Sequence, residues 1–435
     1  MIGTRHGGLD HVIEGAVVLL AGGKERNRAL GVVVVLSLLS ALVAAAPALA
    51  ADDIRYNEKP VAGWSTNGSV FAVALVGDVV YVGGSFTKAV SGDREVERDR
   101  RNLAAFDRIT GELLDFRADT NSAVRGIAGD GSTVWVGGTF TEVAGEDRMR
   151  VAALDATTGA LLSGFAPDVD GHVWHVEYAK GRVYIGGEFR EVDDVEQRRI
   201  ASLHPASGSA DPDFKARASG TVRSLAYSPA RDTLYAGGSF TSIGGTSRDQ
   251  LAGLDPDTGS AKGAAFDYPG SVIMDVDVAD DGSMVFAAIG GNRNRAQAWS
   301  ASSGSQRWDR KAMGDVQAIS YEDDRVYFGF HEGFAGSTNV KLLAAKASSG
   351  SMDNSFRPSV NSFYGIWDID AAAGALIAGG EFSRVEGVRV KGSAIFPRQG
   401  IPDLEPPSQV TGIHAAAASA TSIEVAWTPA TDDVG

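Results

Sequence analysis

Five segments of the chain share one pattern: an apolar residue, usually an aromatic, a further apolar residue, two glycines, one variable position and a phenylalanine. They are Val80-Tyr81-Val82-Gly83-Gly84-Ser85-Phe86, Val134-Trp135-Val136-Gly137-Gly138-Thr139-Phe140, Val183-Tyr184-Ile185-Gly186-Gly187-Glu188-Phe189, Leu234-Tyr235-Ala236-Gly237-Gly238-Ser239-Phe240 and Leu376-Ile377-Ala378-Gly379-Gly380-Glu381-Phe382. Eroded copies stand at Val285-Phe286-Ala287-Ala288 and Val326-Tyr327-Phe328-Gly329. The positions equivalent to the first glycine are therefore 83, 137, 186, 237, 288, 329 and 379, a period near fifty residues. Strand and turn signals fill each period and no helical periodicity does. A repeat of this length and texture predicts an all-β fold, a seven-bladed β-propeller spanning 52–398.

Each unit reads as four short strands. Apolar residues such as Val70 and Val73, or Val124 and Ile127, mark the first strand, and the aromatic–Gly-Gly segment marks the second. The third is Leu103-Ala104-Ala105-Phe106 and its equivalents, and the fourth ends near Phe116, Phe165, Phe214, Phe266, Trp308 or Phe356. The turn between the last two is Asp107-x-x-Thr110-Gly111, repeated from Asp155 and Asp255. Asp accepts hydrogen bonds from the backbone just beyond it and Gly supplies a positive φ, so these aspartates read as turn hardware. The final unit stops near Phe396 without a fourth strand, and an orphan segment, 56–64, precedes the first. An N-terminal strand is expected to complete the last blade and close the ring, removing exposed edges.

The shared Val-Tyr-Val-Gly-Gly-x-Phe-Thr, Arg-x-x-Leu-Ala and Thr-Gly-x-Leu-x-x-x-Phe motifs resemble the delta-sixty repeat of bacterial β-propeller proteins. The resemblance implies a secreted or surface propeller and no defined reaction. The segment from Ala153 to Gly159 also resembles the repeat of quinoprotein dehydrogenase propellers, but the Trp expected at the end of that repeat is mostly Phe here.

Outside the repeat, residues 24–28 are basic, 29–44 are apolar, and Ala48-x-Ala50 follows. These are the three parts of an export signal, so residues 1–50 read as an N-terminal extension and signal peptide. Localisation is then secreted or cell-surface, with no membrane insertion after cleavage. At the other end, 399–406 is a Pro-bearing linker. Residues 407–435 resemble the start of a fibronectin type III sandwich, with Thr421–Trp427 alternating as a strand. Such a sandwich needs about seven strands, so the domain is expected to be incomplete and the chain to be a piece of a longer protein.

The chain contains no cysteine, which excludes disulfides, Cys-based zinc sites and thiol nucleophiles. Its net charge of −15, without a Lys/Arg-rich run, argues against nucleic acid as partner. Nothing calls for a cofactor, and a monomer is expected. The mixed-charge stretch Asp93 to Arg101 reads as a solvated loop.

Function is sought on the first strands, which should lie nearest the axis. Aligned on Val70, Val124, Val173, Val222, Ile273, Val316 and Ile366, the next position gives Phe71, Arg125, Trp174, Arg223, Met274, Gln317 and Trp367. The position after that gives Ala72, Gly126, His175, Ser224, Asp275, Ala318 and Asp368. Phe71, Arg125, Trp174, Arg223 and Trp367, with Tyr364 on the preceding turn, form the candidate ligand surface at one channel mouth. Flat apolar faces with a few donors suit a sugar, or an acidic or peptide group. The competing reading is that these side chains simply plug the axis. His175, Asp275 and Asp368 have the residue types of a His/carboxylate metal site. The leading functional expectation is a non-catalytic module that binds glycan or envelope protein. The alternatives are an accessory region of a larger secreted glycoside hydrolase, acting in polysaccharide degradation, and a structural spacer.

Overall fold

A computed structural model describes residues 55–399 apart from Ala373, together with the backbone of two strands, Thr411–Ser419 and Ser422–Thr428. The signal, the linker after Gln399 and the fibronectin side chains lie outside the described residues. The latter two strands pair antiparallel in a unit of their own.

The aromatic–Gly-Gly segments form the second strand of successive antiparallel sheets, each built in simple up-and-down order. The innermost strands are Ser69–Val76, Val124–Gly129, Val173–Ala179, Val222–Ser228, Ile273–Val278, Val316–Glu322 and Gly365–Ala372. Each pairs with the strand that carries the glycines, which in turn pairs with a third. Consecutive sheets pack face to face, and the described residues contain no helix. The chain is an all-β repeat of the β-propeller kind.

The glycine pair has a packing reason. A Cβ on the first glycine would strike the innermost strand of the next sheet: at Gly83 it would lie 2.5 Å from Val124, at Gly137 2.5 Å from Val173, at Gly237 2.4 Å from Ile273. At Gly379 it would lie 2.9 Å from Val70, so the last sheet packs on the first in the same way. A Cβ on the second glycine would strike its own sheet's innermost strand, 2.0 Å from the Ser69 carbonyl at Gly84. The aromatic residue of the pattern is buried and ties neighbouring sheets together. Tyr81 Oη donates to the Ala156 carbonyl (2.5 Å), and Tyr184 Oη to that of Pro256 (3.0 Å).

The orphan N-terminal segment lies along the third strand of the last sheet, Ser393–Pro397. Tyr56 bridges antiparallel to Arg398, Asn57 N donates to the Pro397 carbonyl and Val61 N to that of Ile395, each at 2.9 Å.

Two expectations need correction. The fourth strand is a regular strand only in the fourth to sixth sheets, as Ala261–Lys262, Gln306–Lys311 and Met352–Asp353. In the first three it shrinks to single bridges, Phe106 to Leu113, Leu154 to Leu161 and Leu203 to Ala210. There the chain turns inward, after the Asp-x-x-Thr-Gly turn in the first two sheets and after His204–Gly208 in the third, to bury Phe116, Phe165 and Phe214. The charged stretch 93–101 is not simply a solvated loop. Glu97–Asp99 is a strand paired with Lys88–Val90. Arg100 is 2% exposed, donating to the Asp99 and Leu114 carbonyls. Its long side chain buries its stem while backbone carbonyls receive its head. The turn aspartates behave as read: Asp107 Oδ1 accepts from the backbone N–H groups of Ile109 and Thr110 and from Thr110 Oγ1.

Candidate functional site

Every innermost strand carries a β-bulge at the same place. The pairing register skips one residue between Val70 and Ala72, Val124 and Gly126, Val173 and His175, Val222 and Ser224, Ile273 and Asp275, Val316 and Ala318, and Ile366 and Asp368. The skipped residues are Phe71, Arg125, Trp174, Arg223, Met274, Gln317 and Trp367. A bulge adds a residue to one strand and re-aims its side chain. Here it turns the variable ring toward the axis while Val70, Val124 and their counterparts stay in the intersheet cores. All seven side chains line one cavity of about 310 Å³.

The mouth is uneven. From Tyr364 a row of rings runs along one arc: Tyr364 stacks on Trp367 (6.4 Å, 21°), and Trp367 meets Phe71 edge to face (6.0 Å). The Arg125 guanidinium lies over Phe71 (3.9 Å) and near Trp174 (5.0 Å), with Arg223 on the same indole (5.6 Å). Phe363 and Tyr364 extend the row outward and are 61% and 48% exposed. The other arc holds Met274 and Gln317. With its amide turned to suit, Gln317 donates to the carbonyls of Tyr364 and Ile366, 2.9 Å each, which anchors the aromatic turn. Four buried donors of the row, Arg125 Nε, Trp174 Nε1, Arg223 Nε and Trp367 Nε1, have no acceptor among the described residues.

Below the mouth lie two acidic tiers. The first contains His175, Asp275 and Asp368. The second, one pleat further, contains Glu177, Asp277 and Asp370. All five carboxylates reach from one innermost strand to the next and accept its backbone N–H. Asp275 accepts from Ile319 (2.9 Å), Asp277 from Tyr321 (2.7 Å), Glu177 from Tyr227 (3.2 Å), Asp368 from Val73 (2.7 Å) and Asp370 from Leu75 (2.6 Å). Ser224 and Ser320 do the same for Val276 and Ala371, both at 3.1 Å. An inner sheet edge otherwise presents unpaired N–H groups, which are costly away from water. Between the second and third sheets no such bridge is needed, because Gly126 lets the backbones touch: a Cβ there would lie 2.7 Å from Val176 N.

The tiers line the cavity and are half-buried, with protein packed densely behind them. That burial pushes the Glu177 carboxyl up to about 8, Asp277 to about 7 and Asp275 to about 6, against the backbone hydrogen bonds that favour ionisation. Asp368 is raised by burial first and by the Asp275 carboxylate second. Burial holds His175 down, to about 4. His175, Asp275 and Asp368 do share a tier, yet among the described residues no three His, Asp or Glu side chains group so as to hold a metal ion.

No family model matches the chain. No curated protein matches it. Among solved structures it is similar to the computationally designed protein Ika8, at 13% identity and a TM-score of 0.47, over 79% of this chain and 100% of that one. It is also similar to the WD40 β-propeller domain of Doa1, at 12% identity and a TM-score of 0.49, over 78% of this chain and 96% of that domain. The propeller assignment rests on the chain's own sheets.

The alignment of the first strands thus finds the mouth and the first tier. It misses Glu177, Asp277 and Asp370, whose signal is an acidic or hydroxyl residue two positions beyond the first tier, where the other sheets have alanine.

Proposed function

We propose that the chain is an exported, non-catalytic binding module, a seven-bladed propeller of delta-sixty-repeat type closed by its N-terminal strand and followed by the start of a fibronectin type III domain. It acts as a monomer outside the cell or at its surface, and its ligand is a glycan of the envelope or surroundings. The observation that carries this reading is the mouth itself. Seven bulges turn the most variable positions of the repeat into one cavity. Filling an axis needs only bulk. This mouth instead joins exposed rings to buried N–H donors that find no acceptor among the described residues. Sugars offer acceptors around a flat apolar face, the complement of such a surface. A row of rings from Phe363 to Trp174 suits an extended oligosaccharide better than a single sugar.

The test is glycan binding by the full chain, by array and then titration calorimetry, beside Trp174→Ala/Trp367→Ala. Saturable binding that the folded double variant loses supports the site. Binding unchanged in that variant, or no binding across the array, overturns it.

A further inference from the structure

We infer that the group recognised at the mouth is a carboxylate on a sugar ring, held between Arg125 and Arg223 while the ring rests on the neighbouring aromatic row; the ligand class is an acidic polysaccharide. This deepens the glycan reading and rests on it.

Two guanidinium groups flank one indole, with Cζ atoms 5.0 and 5.6 Å from the Trp174 ring centroid. Among the described residues neither has a carboxylate partner, in a chain where acidic residues outnumber basic ones by 55 to 40. The carboxylates nearest along the bore, Asp275 and Asp368, are taken up by backbone N–H groups. Arg125 feels burial and the like charge of Arg223, and both work against its own charge. Two cations left this way are relieved by an anion, and a guanidinium fork matches a carboxylate in two parallel hydrogen bonds.

The Arg125 guanidinium rests over the Phe71 ring, a cation–π contact that holds it at the mouth. Asp275 and Asp370, still mostly ionised at neutral pH, disfavour an anion deeper in the bore, which keeps the charge level with the rings. In a uronic acid the carboxylate is joined directly to the pyranose ring. A ring resting at the Tyr364–Trp367 end of the row points its carboxylate toward Phe71, whose face Arg125 covers.

The experiment uses the full chain and two matched panels. The first contains oligogalacturonate, oligoalginate and hyaluronate oligosaccharides. The second contains the same oligomers with their carboxylates reduced to alcohols. At least one acidic oligomer is expected to bind, with its reduced form weaker by about tenfold or more, the cost of losing charged hydrogen bonds. Arg125→Gln/Arg223→Gln, checked for native circular dichroism, abolishes that preference, and Arg125→Lys/Arg223→Lys restores it in part. Equal binding of acidic and reduced forms, unmoved by the Gln pair, overturns the carboxylate while leaving the glycan reading intact. Preference for sulfated or phosphorylated sugars over uronates, lost with the Gln pair, also overturns it and assigns the cations to another anion. Binding by neither panel nor any array glycan removes both readings.

Discussion

The Asp368 carboxylate, on the last sheet, accepts a hydrogen bond from the backbone N–H of Val73, on the first, at 2.7 Å. One pleat on, Asp370 does the same for Leu75 at 2.6 Å. These two bonds join the ends of the repeat at its axis, where two strand edges face each other without a ladder. Asp368→Ala/Asp370→Ala leaves both N–H groups without acceptors and is expected to lower stability by about 1 kcal/mol or more for each. Asp368→Asn/Asp370→Asn keeps an acceptor oxygen and removes the enclosed charge, so it should stay close to the parent or exceed it above pH 7. Urea unfolding at pH 7.5 distinguishes them. Equal destabilisation by both pairs would mean that charge, not acceptance, is what the first sheet requires.

The same junction has an outer counterpart in the N-terminal segment. Tyr56 is buried and its hydroxyl donates to the Glu322 carboxylate, while Asn57 and Val61 bond the last strand of the last sheet. Deleting residues 55–64 from the full chain exposes that strand's edge and uncovers Phe356 and Phe396. A large fall in thermal midpoint and rapid proteolysis near the last sheet are expected. Tyr56→Phe, which loses only the hydroxyl, should cost about 1 kcal/mol. A deletion variant that melts like the parent would show that the segment decorates the last sheet without holding it.

Gly237 sits where a Cβ would lie 2.4 Å from Ile273 Cγ2 and 2.6 Å from Val276 Cγ1. Both neighbours are buried, β-branched and stiff. Gly237→Ala therefore overpacks a junction between sheets, at an expected cost of about 1–3 kcal/mol. Ile273→Ala opens room at the same spot, so the double variant should be more stable than the two single costs predict. Strict additivity in chemical denaturation would place the glycine's role elsewhere.

The period of these glycines made the repeat legible from sequence, because close approach between sheets leaves so few residue choices. The mouth was legible for a similar reason: an alignment anchored on Val70 and its counterparts keeps equivalent positions together whatever they contain. The bulge was not legible. Val70-Phe71-Ala72-Val73 reads equally as regular alternation with one misfit, and only the pairing of Ala72 with Gly83 reveals the skipped residue. The fourth strands were over-read because Phe116 and Phe165 look like strand ends, whereas the chain uses them as plugs after a single bridge. The charge of Arg100 alone does not show that backbone carbonyls wait for it. The acidic second tier leaves only an acidic or hydroxyl residue where the other sheets have alanine, and such alternation also marks any strand with one solvated face.

The two tiers give the fold a pH dependence of defined sign. Glu177 is pushed up to about 8, Asp277 to about 7 and Asp275 and Asp370 to about 6, from ordinary values near 4 in an unfolded chain. The folded state thus holds protons that the unfolded chain has released. Stability from these groups is complete below about pH 4 and is lost as pH rises through about 6 to 8. His175, held down to about 4, acts in the opposite sense, but only as pH falls below about 6.5. Above that, the carboxylates act alone among the groups of the bore. The urea midpoint is therefore expected to fall between pH 6 and pH 8.5, and Glu177→Gln to flatten the upper part of that fall. Gln still offers an oxygen to the Tyr227 N–H, so the variant should match the parent near pH 5 and exceed it near pH 8.5. A midpoint that rises over this window, or a Glu177→Gln profile parallel to the parent's, would mean that the bore stabilises its carboxylates in the charged form.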